Sequence, residues 1–243
     1  MVRAKEDGAE EMRTYRIEIR LIQFSILLSV LIIIGGFVGL WGDRTPQQAV
    51  TLPQQIEENT DLKNLKIVTL GDSFTYGYPG RPEDSWPTVL QEELEDLGVE
   101  VVNKGKGQQN TENLFERFET DVIGENPGRV VIFAGNGDAL QGKDLDFFQK
   151  YIKAMVEKAQ SNHIEPILAL PMPYKGVQAQ IKEFREWEID FARENKLTVL
   201  DFASVLMDAD NKYLEGLAST DNENYPSAKG YRKMGEYAAR VLR

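Results

Sequence analysis

An apolar, β-branched run, Lys66-Ile67-Val68-Thr69-Leu70, stops at Gly71-Asp72-Ser73, and Gly77 follows four residues later. A short apolar run that breaks at a glycine reads as a buried parallel strand running into a tight turn. That reading constrains the whole chain, because a strand buried on both faces needs helices above and below its sheet. In an open α/β sheet, chemistry sits outside the carboxyl ends of the strands, which is where this turn places Ser73. Backbone N–H groups at the start of the next segment would lie beside its hydroxyl, where they can stabilise developing negative charge.

The remainder of the chain supplies the expected partners. A helix opens at Ser85-Trp86-Pro87, carries Val89, Leu90, Leu94 and Leu97, and closes at Gly98. A second strand spans 99–102, and a helix with Leu114, Phe115, Phe118 and Val122 follows, capped by Asn110 or Thr111. A third strand, 129–134, ends at the glycine turn Gly135-Asn136-Gly137-Asp138. A long helix over 144–161 places Phe148, Tyr151, Ile152, Met155 and Ala159 on one face. Strands over 167–170 and 198–202 and helices over 177–195 and 228–242 complete the pattern. Strands alternating with helices predict a three-layer α/β/α domain, with a central parallel sheet, over residues 66–243.

The segment GDSFTYG resembles the first block of the SGNH (GDSL-type) hydrolase family, whose serine is the nucleophile. The resemblance implies a flavodoxin-like sheet, ester hydrolysis through Ser73, and no metal or cofactor. It also implies an oxyanion hole built from the Ser73 N–H, a second-block glycine and an asparagine side chain. Gly107 is the obvious match to that glycine, whereas a gapless reading from Asn103 puts Gln108 there. The family's third block is Gly-x-Asn-Asp. Here Gly137 holds the asparagine position and Asn136 stands one place early, as the candidate second donor. The family's last block, Asp-x-x-His-Pro, corresponds to Asp221-Asn222-Glu223-Asn224-Tyr225-Pro226. Tyr225 therefore stands where the general base belongs, and Asp221, the candidate orienting carboxylate, lies four residues before it rather than three. A phenol with a reference pKa of about 10 is a poor base at neutral pH. The chain's one histidine, His163, falls in the connection that enters the fourth strand at its amino end, opposite the face expected to carry Ser73.

Composition narrows the remaining options. A net charge of −11 argues against nucleic acid as a partner, and the absence of cysteine excludes disulfides, thiolate catalysis and a lipid-modified cysteine anchor. Leu21–Trp41 contains no charged residue and is long enough to cross a bilayer core of roughly 30 Å as a helix. Residues 1–20 carry Arg3, Lys5, Arg13, Arg16 and Arg20, whereas 42–61 carry only Arg44. The positive-inside bias then predicts a cytoplasmic tail (1–20), an uncleaved membrane anchor (21–41), a Gln/Pro/Glu-rich tether (42–65) and an extracytoplasmic domain. The expected function is a membrane-anchored esterase acting on acyl or acetyl esters of lipid or wall polymers. Its alternative is a non-catalytic surface module that binds a glycan or protein in the same cleft.

Overall fold

The computed structural model describes residues 65–243. The expected tail, the anchor and all but the last residue of the tether lie outside the described residues. Among the described residues no helix is long and apolar enough to cross a membrane.

Five strands form one parallel sheet: β1 (Lys66–Gly71), β2 (Glu100–Gly105), β3 (Arg129–Phe133), β4 (Glu165–Ala169) and β5 (Thr198–Leu200). Their spatial order is β2-β1-β3-β4-β5. This is the flavodoxin-like order, in which the chain winds one way from β1 to β2 and the other way from β1 to β3. The crossovers are helical: α1 (Ser73–Tyr76) and α2 (Trp86–Leu94) follow β1, and α3 (Thr111–Glu116) and α4 (Phe118–Asp121) follow β2. After β3 come α5 (Asn136–Leu140) and α6 (Leu145–Ser161), after β4 comes α7 (Gln178–Asn195), and α8 (Ala203–Leu206) and α9 (Ala228–Leu242) complete the chain.

Side chains alternate across the sheet with the two-residue period of a strand. Ile67, Val131, Phe133, Ile167 and Ala169 face one way and pack under α2 and α9 with Trp86, Leu90, Tyr231 and Met234. Val68, Leu70, Val130, Ile132 and Leu168 face the other way, against α3, α4, α6 and α7 through Leu114, Phe118, Phe148, Ile152 and Phe184. Each fully buried Leu, Ile or Phe of these two layers contributes about 1.5–3 kcal/mol relative to an exposed position.

Three differences from the sequence reading bear on the site. The strand expected over 99–102 continues to Gly105, because its ladder with β1 persists to the Gly71–Gly105 pair. The single helix expected around Leu114 breaks at Arg117, whose φ of −98° and ψ of 4° end α3 before α4 begins. The short helices α1, α5 and α8 lie within segments whose sequence reads as turns. At four or five residues they are below the length at which periodicity is visible.

One core residue breaks the apolar pattern. Glu188 on α7 is fully buried, and neither of its carboxyl oxygens has a hydrogen-bond partner. Burial pushes its pKa well above 4.5; Arg185 opposes that shift and Asp138 adds to it. A folded acid that holds its proton more tightly than the unfolded one favours the native state at low pH, and that advantage is lost as pH rises above 4.5. Replacing Glu188 by Leu should raise stability at pH 7 by about 1–3 kcal/mol, the cost of an unsatisfied buried polar group. In thermal melts the gain should shrink as pH is lowered toward 4.5.

Candidate active site

At the carboxyl end of β1 the chain turns into α1, and the Asp72 side chain caps that helix by accepting the Phe74 N–H at 2.9 Å. Ser73 is the first residue of α1 and carries one of the N–H groups that a helix leaves without an intrahelical partner. It lies where β1 sits between β2 and β3, at the switch point of the sheet. Burial raises the Asp72 carboxyl from 3.8 to about 7, and the neighbouring charge of Asp138 adds to this, while backbone N–H groups at Phe74 and Gly137 oppose it.

The segment after β2 is pressed onto this turn. A Cβ on Gly105 would lie 2.2 Å from the Tyr76 backbone nitrogen, so only glycine allows the approach. Two residues on, the chain passes the nucleophile. The N–H that donates to Ser73 Oγ belongs to Gln108, at 3.3 Å, and not to Gly107, which lies alongside; a Cβ added there would sit 3.6 Å from Ser73 Oγ. Of the two expected candidates for the second-block donor, Gly107 and Gln108, it is Gln108 whose N–H meets the serine hydroxyl in the resting site. Gln108 takes a φ of 61°, which turns its N–H toward the serine.

The turn after β3 departs further from expectation. Asn136 is buried and its carboxamide is used twice by one backbone unit: Nδ2 donates to the Met172 carbonyl at 2.7 Å, and Oδ1 accepts the Met172 N–H at 2.8 Å. These two bonds fix the plane of the carboxamide and use one of the two Nδ2 hydrogens, leaving the other as the expected donor. Gly137, at the position of the family's asparagine, cannot carry a side chain, because a Cβ there would lie 1.9 Å from the Gln109 carbonyl oxygen. Asp138 is also occupied. Its two oxygens accept the Thr111 N–H, and Oδ1 takes the Thr111 hydroxyl at 2.6 Å, pinning the start of α3.

Tyr225 does reach the nucleophile. Its phenol faces the hydroxyls of Ser73 and Tyr174, and its ring packs on Phe74 at 4.6 Å, Tyr78 at 4.8 Å and Tyr174 at 5.8 Å. Burial pushes the phenol well above its ordinary pKa of 10.0, nearby Tyr174 and Asp72 push the same way, and the polar Ser73 side chain beside it opposes the shift. Tyr225, which the sequence already marks as a poor base at neutral pH, is further disfavoured from ionising by its burial. Asp221 is exposed in the loop that runs back along Tyr225, between the Ser219 N–H bond to the Tyr225 carbonyl and the Tyr225 N–H bond to Asn222. Its backbone N–H bonds Ser219 Oγ, and its carboxylate orients neither Ser73 nor Tyr225, so its expected triad role is not realised. His163 is exposed at the amino end of β4, as its position in the connection implied. Among the described residues no cluster of three or more His, Cys, Asp or Glu side chains could hold a metal ion.

The strand-turn-helix serine, the parallel five-stranded sheet and the pattern of strand-end turns can now be compared with known proteins. The model of the GDSL-like Lipase/Acylhydrolase family matches residues 69–233. The chain belongs to this family. A lipolytic G-D-S-L family protein from Desulfitobacterium hafniense DCB-2, of known structure, is 61% identical, with a TM-score of 0.71 over 73% of this chain and 99% of that one. Among curated relatives, the uncharacterized lipoprotein YqeF of Bacillus subtilis (strain 168) is 30% identical over 118 residues, 44% of this chain and 48% of its own length. An acetylxylan esterase of Geobacillus stearothermophilus is 32% identical over 98 residues, 35% of this chain and 45% of its own length. The chain thus spans about half the length of these curated relatives.

Within the GDSL family framework the sequence had located the serine and the aromatic at the base position. It did not reveal that Asn136 is engaged by Met172, because that contact joins residues far apart in the chain. It also passed over Asp72, which bears no signal beyond its place beside the motif serine. Gly137→Ala should be strongly destabilising, because the blocking atoms are backbone and cannot rotate away. A fall in melting temperature of several degrees or more, by circular dichroism, checks this; an unchanged melt would show that the loop over Gly137 yields.

Proposed function

We propose that this GDSL-family chain is a membrane-tethered, extracytoplasmic ester hydrolase that acts through Ser73 on small acyl or acetyl esters carried by lipids or wall polymers. The observation that carries the reading is the Ser73 hydroxyl at the sheet's switch point with the Gln108 N–H directed at its oxygen. That pairing places a preorganised N–H next to the nucleophile, within reach of the substrate carbonyl oxygen on which the negative charge of the tetrahedral intermediate develops. The Ser73 N–H is the second donor. The Leu21–Trp41 anchor, with its cationic flank, supports the location. A lipoprotein and an acetylxylan esterase among its relatives fit surface location and acetyl-ester chemistry.

In this reading the step is attack of Ser73 Oγ on the acyl carbon, expulsion of the alcohol, and hydrolysis of the acyl-serine by water. The imidazole that would carry the proton through both halves is replaced by Tyr225, so turnover at neutral pH is slow. The aromatic packing of Tyr225 onto Phe74, Tyr78 and Tyr174 favours a second reading, a binding module in which the phenol closes the site rather than serving it.

The test is esterase activity on short-chain acyl esters with Ser73→Ala and Tyr225→His. Histidine titrates near pH 6.5, and a positioned general base contributes about a hundredfold or more. No carboxylate is in place to orient the ring, so Tyr225→His should raise kcat by about ten- to a hundredfold and introduce an inflection near pH 6.5. Ser73→Ala should abolish hydrolysis in both backgrounds. No ester hydrolysis in either form, with the fold intact, selects the binding module.

A further inference from the structure

Arg117 lies at the break between α3 and α4, and its guanidinium points back under the site. Nη2 donates to the Gly71 carbonyl at 3.0 Å, two residues before the nucleophile. Nε donates to Gln109 Oε1 at 2.9 Å, one residue after the donor Gln108. Nη1 donates to Asp121 Oδ2 at 2.7 Å, and the same carboxylate oxygen accepts Lys106 Nζ at 3.0 Å. The Lys106 N–H also bonds the Gly71 carbonyl, at 3.0 Å. Both ends of the short segment from Lys106 to Gln109 are therefore tied, through one guanidinium and its carboxylate, to the strand that carries Ser73.

We propose that Arg117 is a positioning residue that holds the Gln108 N–H against the Ser73 oxygen. The proposal rests on the reading of Ser73 as an ester-hydrolysing nucleophile. Gln108 holds a left-handed backbone, which a non-glycine residue keeps only when its surroundings impose it. On the carbonyl side Gln141 supplies that constraint, donating to the Gln108 carbonyl at 3.2 Å while accepting from Asn110 at 2.7 Å. On the other side the bond to Gln109 supplies it. The 3.3 Å contact at Ser73 is long for an N–H···O bond, so the Gln108 N–H can exchange it for the substrate oxygen on which charge develops during attack. Arginine suits the task because its planar fork serves three acceptors in fixed directions, whereas a lysine ammonium on a flexible stem cannot hold all three. Arg117 does not touch the reacting atoms.

The experiment uses the full-length chain as Arg117→Lys, Gln109→Ala, the double variant and Ser73→Ala. Gln109→Ala removes only the loop-side acceptor and leaves the Arg117–Asp121 pair intact, so the test survives if Arg117→Lys folds poorly. Three quantities are measured: kcat and KM on a p-nitrophenyl ester, affinity for phenylboronic acid, and hydrogen exchange of the Gln108 amide. The boronic acid accepts a lone pair of Ser73 Oγ into the empty orbital of boron, forming an O–B bond as the serine proton passes to solvent. The resulting tetrahedral anion places its oxygens where the oxyanion would lie. A donor displaced by about 1 Å costs about a hundredfold. Arg117→Lys and Gln109→Ala should each lower kcat by about ten- to a hundredfold with KM changed less than about twofold. Each should weaken boronate binding by a similar factor and speed exchange at Gln108, and the double variant should be no worse than Arg117→Lys alone. Unchanged kcat and boronate affinity in both single variants, with Ser73→Ala inactive in both assays, overturns the role of Arg117. Activity and boronate binding that survive Ser73→Ala overturn the underlying reading instead. If the wild type neither hydrolyses the ester nor binds the boronate, the exchange decides, and a Gln108 amide that is no faster in Arg117→Lys overturns the proposal.

Discussion

A parallel strand that turns sharply at its end leaves its last carbonyl and the following N–H groups without ladder partners. At the end of β1 the chain meets that requirement in a way that also builds the site. The Gly71 carbonyl takes the Lys106 N–H and the Arg117 guanidinium, and the Asp72 side chain takes the Phe74 N–H. What remains is the Ser73 N–H and hydroxyl, next to a carbonyl and a helix cap that already have their partners. The segment after β2 is drawn to the same point by the demand of the Gly71 carbonyl for partners, which is why its Gln108 N–H arrives at the serine. Backbone satisfaction and catalytic geometry are here the same set of contacts.

The electrostatics around that point are one-sided. Asp72, Asp138 and Glu188 are buried acids whose carboxyls burial raises, and Asp72 and Glu188 are each raised further by the charge of Asp138. Tyr225 is pushed in the same direction. Such an environment disfavours net negative charge, yet acyl transfer generates an oxyanion. Fixed N–H dipoles therefore carry the stabilisation, since they cost no reorganisation when charge appears. It also explains why a tyrosine can stand where an imidazole stood without unfolding the site. Its neutral phenol completes an aromatic layer with Phe74, Tyr78 and Tyr174 and introduces no new buried charge.

The architecture was legible because it rests on local patterns. The runs at β1, β3 and β4 are short, apolar and closed by glycine or proline, and α6 and α9 show helical spacing throughout. Ser73 and Tyr225 were legible because they sit in blocks anchored by Gly71 and Gly77, and by Pro226 and Gly230. The donor was legible only as two alternatives, Gly107 or Gln108, because one backbone φ decides between them and neighbouring residues do not specify it. The settings of Asn136, Asp221 and Arg117 were misjudged or passed over for a common reason. Asn136 meets Met172, 36 residues on, Arg117 reaches back 46 residues to Gly71, and Asp221 lacks a partner at the site; no spacing rule encodes such contacts.

The contact between Gly137 and the Gln109 carbonyl has a historical meaning as well as a mechanical one. An asparagine at that position and the present path of the chain through Gln109 exclude each other. Whichever change came first, the other followed into the space or vacancy it left. Restoring the side chain now requires the loop to move back beforehand, and that loop also carries Gln108. The two positions are coupled: no single substitution at Gly137 can place a donor side chain there unless the chain through Gln109 moves as well. A site of this kind improves by recruiting new groups around Ser73 rather than by recovering the old ones.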